Sequence, residues 1–76
     1  MARYFIHIFD GKAVLDDEGE DLADVGAARN TALRVMSELA ASRSDRFWED
    51  GSLKIVVEDE ARVEVVVLEM RDLTAV

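Results

Sequence analysis

The spacing of hydrophobic positions changes twice along this chain. Residues 2 to 9 bring Tyr4, Phe5, Ile6, Ile8 and Phe9 together in one aromatic and β-branched run, the composition of a strand. The run ends at Asp10-Gly11, the dipeptide favoured in a two-residue hairpin turn, so a short return strand is expected from Lys12 to Asp16. From Asp24 the spacing becomes helical. Val25, Ala28, Ala32, Val35, Met36 and Leu39 fall on one stripe, widened by Leu33 and Ala40, while Asn30, Arg34, Ser37, Glu38 and Ser42 take the opposite side. Asp24 stands where its carboxylate can accept first-turn amide protons, and Arg43 complements the other end of the helix dipole. The helix is expected to stop between Ala41 and Asp45, after roughly eighteen residues and ~27 Å. A connector with Phe47, Trp48, Asp50 and Gly51 follows. Residues 53–58 and 63–70 then read as two strands joined by Asp59-Glu60-Ala61-Arg62. The predicted fold is α+β with order ββαββ: a four-stranded antiparallel sheet with one helix packed on one face, in a single domain spanning residues 1–76.

Register turns this pattern into faces. With Asp10 and Gly11 as the turn, Phe9 opposes Lys12 and Ile8 opposes Ala13; the same logic pairs Val56 with Val65 and Ile55 with Val66 in the second hairpin. The cleaner aliphatic face, with Tyr4, Ile6, Ile8, Ile55, Val57 and Leu68, suits the helix. The other face gathers Phe5, His7, Phe9, Val14, Val56, Val63, Val65 and Val67. One helix cannot cover both sides, and so large an apolar patch exceeds what soluble monomers usually expose. These eight residues are therefore the expected interface, buried by a second copy or by a partner protein. Slipped registers would instead leave that face polar, and a self-pairing edge strand is another route to a dimer.

Composition reinforces the need for support. A domain of this size buries just ~60% of the surface that its unfolded chain exposes, and with no cysteine in the chain no disulfide can staple it. Half of the residues are hydrophobic (50%), which excludes a disordered acidic tail. The formal charge of −8 repels phosphate backbones and anionic membranes, so neither nucleic acid nor membrane is expected as a partner. Residues 26–46 are net basic, so a basic partner would meet the rest of the chain. The opening residues lack the apolar core of a signal peptide and no stretch reaches the ~18 apolar residues of a membrane span, which points to the cytoplasm.

Candidate chemistry is sparse. His7 is the sole histidine; an enzyme would use it with Asp16 or Glu58, yet a packed or interface role fits better because no second nitrogen or sulfur ligand accompanies it. The run Asp16 to Asp21 lacks the ligand spacing of a calcium loop and reads as a solvated turn. No glycine-rich phosphate loop or nucleophile elbow can be written, so no catalytic residue, metal or cofactor is implied. Phe47 and Trp48 read as a seal at the end of the core, with a protein-binding hot spot as the other use.

Met1-Ala2-Arg3-Tyr4-Phe5-Ile6-His7, the Asp10-Gly11 turn, the acidic Asp17-Glu18-Gly19 loop and Asp24 before Ala27-Ala28-Arg29 resemble a family of small uncharacterised alphaproteobacterial proteins, a domain of unknown function. Gly26 and Phe47-Trp48 depart from the family pattern. The resemblance implies this fold and a bacterial cytosolic setting, and no activity. The leading expectation is thus a non-enzymatic, homodimeric interaction module. The alternative is a regulatory protein of the HicB antitoxin type, which also couples a Tyr-containing hairpin to an amphipathic helix; against it stands the lack of a predicted third strand before the helix.

Overall fold

The computed structural model describes residues 1–74, so the last two positions of the expected domain lie outside the described residues. Its elements are β1 (Ala2–Phe9), β2 (Ala13–Val14), β3 (Glu20–Leu22), α1 (Val25–Ser42), α2 (Ser44–Asp50), β4 (Ser52–Glu58) and β5 (Glu64–Arg71). The α+β class and the antiparallel sheet agree with the pattern; the details differ, since five strands and two helices replace the predicted four and one. The sheet order is β2-β1-β4-β5, and β3 pairs with β1 beyond β2.

Each difference has a local cause. At the first turn, Ile8 pairs with Val14 and Phe9 with Ala13, so the loop holds three residues and the register is one off the expectation. Asp10 is drawn inside: Arg43 Nη1 donates to its Oδ2 at 2.7 Å, and its own amide turns back to Lys12 O. An odd shift reverses the faces of β2, so Val14 joins the side of Ile8 and leaves that of Phe9. Gly11 has φ +97°, and a Cβ there would lie 2.3 Å from the Asp50 carboxylate, so this turn admits only glycine without rearrangement.

The stretch read as a solvated loop contains β3. Because β2 is two residues long, the first half of β1 is left open, and Glu20, Asp21 and Leu22 fill it opposite Tyr4, Arg3 and Ala2. Arg3 offsets the local acidity, with Nε 3.4 Å from Asp21 and Nη1 donating to Glu18 O. Likewise the connector at Phe47 and Trp48 is the short helix α2, closed by Gly51 at φ 81° with its amide on Phe47 O.

α1 matches its expected length, with 18 residues, and Asp24 Oδ1 accepts from Ala27 N at 2.9 Å. Ala28, Ala32 and Met36 meet Tyr4, Leu53, Ile55, Val57 and Val66 in the core. Thr31 is also buried, while Val25 and Leu33 of the predicted stripe are exposed. In the second hairpin Ile55 pairs with Leu68 and Val57 with Val66, two residues off the predicted register. An even shift preserves the faces, which is why the aliphatic side was placed correctly. A bulge beside Glu58 leaves one extra residue, Val65, and it packs with the helix-side core instead of the opposite face.

Candidate functional site

The face that α1 does not cover is built from Phe5, His7, Phe9, Val56 and Val67, flanked by Lys54, Glu58 and Glu69. Val14 and Val65, expected here, face the other way, and Val63 lies in the turn, exposed. Phe5, His7 and Val56 are already buried within one chain. Their cover is the chain itself. The Arg62 guanidinium lies 3.7 Å from the Phe5 ring centroid and Lys54 Nζ lies 5.9 Å from that of Phe9, so two cations roof the two aromatic rings. Arg62 reaches this position from a left-handed backbone at φ 64°.

His7 is the centre of the arrangement. The Asp16 amide donates to Nδ1 at 3.0 Å. That ring nitrogen therefore accepts, the proton sits on Nε2, and Nε2 donates to Glu58 Oε1 at 2.8 Å. Glu58 also lies 3.7 Å from Arg62 Nη1. The Asp16 side chain does a second job: its Oδ2 accepts from Ile6 N at 3.1 Å, and its Oδ1 from Glu18 N at 3.1 Å and Gly19 N at 3.0 Å. One carboxylate thus stands in for strand pairing in the gap between β2 and β3. Burial works against its charge, but the amides of Gly19, Ile6 and Glu18, with a further pull from His7, hold its carboxyl below the usual carboxylate value.

Residues 3–71 match the model of a family described as a domain of unknown function, DUF6894. The chain belongs to that family. No curated protein and no solved structure matches it.

A depression over the uncovered face is lined by His7, Phe9, Asp16, Lys54, Glu58 and Arg62. It brings His7 together with both of the carboxylates that an enzymatic reading could use, Asp16 or Glu58. In a catalytic dyad the carboxylate holds one ring nitrogen so that the other can take a proton from a nucleophile; here the other nitrogen is occupied by a backbone amide. Directly after β1, the buried Asp10 carboxylate lies between Arg43 and Arg46, with Oδ1 3.7 Å from Arg46 Nη1 and without a hydrogen bond. This pairing ties the first turn to the junction of α1 and α2. Sequence reasoning missed it because an Asp-Gly turn gives no sign that the aspartate points inward. Among the described residues no cluster of three or more histidines and carboxylates is arranged to hold a metal ion, and no helix is long and apolar enough to cross a membrane.

Proposed function

We propose that this DUF6894 domain is a non-enzymatic interaction module of the bacterial cytoplasm that associates with a second copy of itself. The observation that carries the reading is the distribution of what remains exposed. With Phe5, His7 and Val56 covered internally, exposed apolar side chains remain at the β5 margin of the sheet, where Val67 is 51% exposed and Leu33 of α1, beside the same strand, 57%, as well as at Leu15 near the other edge and at Trp48 on α2. Both ring nitrogens of His7 are engaged, which supports a structural role for it. The test is solution mass by light scattering across tens of micromolar protein. A mass of two chains is expected; a single-chain mass throughout that range would refute self-association.

One observation favours the antitoxin-like reading as second choice. β3 supplies a strand between the hairpin and the helix, the element whose absence counted against it, although β3 pairs with β1. A basic protein partner, matched to the net charge of −8, is the expectation under that reading. Co-purification of the domain with the product of a short neighbouring basic reading frame would support it.

A further inference from the structure

The direction of the backbone groups along the sheet shows which edge is left open among the described residues. Ile6 N points to the edge of β1 that Asp16 fills. Alternation along a strand then turns the amides of Phe5, His7 and Phe9 toward β4. Through the pairs Phe5 with Glu58, His7 with Val56 and Phe9 with Lys54, the intervening residues Leu53, Ile55 and Val57 point toward β5 and are met by Met70, Leu68 and Val66. The amide of Asp72 donating to Gly51 O continues the same inward series. Val67, Glu69 and Arg71 therefore turn their amides and carbonyls to the outer edge, and among the described residues no strand pairs there. Natural edges of this length are usually blunted by proline, charged side chains or a mid-strand bulge, and the charges of β5, Glu64, Glu69 and Arg71, stand toward its ends and leave Val65-Val66-Val67-Leu68 uncharged. β5 has eight residues and neither proline nor lysine, and its bulge lies at the Glu58 end.

We infer that β5 pairs with β5 of a second copy, antiparallel and centred on Val67, so that two sheets join into one. This rests on the self-association reading and specifies its surface. An antiparallel pair related by a two-fold axis keeps each face continuous, so opposing residues must share a face, which restricts the centre to a single residue. Centring on Val67 sets it against its own copy as a hydrogen-bonded pair. The strand is acidic at its start, Glu64, and ends on Arg71, which within the chain already pairs with Glu69. The antiparallel match brings Arg71 of one copy to the Glu64 end of the other, while the two Glu69 carboxylates lie apart on opposite sides of the axis. α1 lies on the same side of the joined sheet in both copies, with Leu33 beside Val66 and Val67 along the margin to be covered.

The chain has no cysteine, so one introduced at the centre reports the register directly. A hydrogen-bonded antiparallel pair has its Cα atoms about 5.5 Å apart, within disulfide reach. Val67→Cys, folded by circular dichroism, is expected to oxidise to a covalent dimer at least about tenfold faster than Val14→Cys on the opposite edge of the sheet, and the wild-type amides of Val67 and Glu69 to lose hydrogen-exchange protection on dilution. A wild-type dimer in which both cysteines oxidise equally slowly overturns the β5 pairing and leaves self-association standing. A wild-type monomer overturns both, and added capture of an extended peptide by that monomer would assign the edge to a different protein.

Discussion

Asp16 is the residue on which most local structure converges, since one side chain accepts three backbone amides and its own amide fixes the tautomer of His7. Replacing it with alanine leaves the part-buried amides of Ile6 and Gly19 without this partner, while that of Glu18 can turn to water, and a loss of about 1–2 kcal/mol is expected in urea unfolding at neutral pH. The sign of the pH effect follows from its depressed carboxyl. Its contribution is present above the unfolded value of about 3.9 and lost as pH falls through that value toward the folded one. Wild type should therefore lose stability more steeply than Asp16→Ala as pH falls below about 5, and parallel acid limbs would contradict this assignment. Gly19, next in the same loop, has φ +78°, and a Cβ would lie 2.8 Å from Arg3 Cγ and 3.0 Å from both Phe5 Cε1 and Tyr4 O. Gly19→Ala is expected to destabilise by about 1–3 kcal/mol, measured in the same way.

Between elements, the pairing of Asp10 with Arg43 and Arg46 joins the first turn to the end of α1 and the start of α2. Arg43→Ala takes the side-chain hydrogen bond from a buried carboxylate and leaves it only Arg46 at 3.7 Å, whereas the arginines left by Asp10→Ala can reach water. The arginine substitution should be the more damaging of the two, by about 1 kcal/mol or more, and the double variant should recover part of the loss; additive losses would argue against coupling. The elements themselves were legible in proportion to how local their causes are. The helix from Asp24 to Ser42 follows from periodicity and a capping side chain, both within a few residues. The aliphatic face survived a wrong register because its error was even. β3 was hidden: its residues, Glu20-Asp21-Leu22, are poor strand formers, and they pair because β2 leaves an opening. The uncovered face was misjudged for a related reason, because no pattern tells that Arg62 and Lys54 fold back over Phe5 and Phe9.

For the whole molecule, the net charge of −8 on each copy opposes association. At low ionic strength, where screening extends about 30 Å, this repulsion should outweigh the paired ends of β5, so the dimer is expected to tighten between 10 mM and 200 mM salt. A weakening over that range would show that ion pairs dominate the interface. The central pairing of the sheet has a consequence for the order in which the chain can mature. β1 is made first, yet the strand beside it, β4, comes from the far side of both helices, with Phe5 set against Glu58. Short-range contacts can form the α1 turns and the β1–β2 corner early, whereas closing this distant pair carries the larger entropic cost of ordering the chain between its strands. A nascent chain emerging from the ribosome must therefore keep Tyr4-Phe5-Ile6 unsheltered until Glu58 has left the exit tunnel, so chaperone demand and degradation should concentrate in that interval of synthesis.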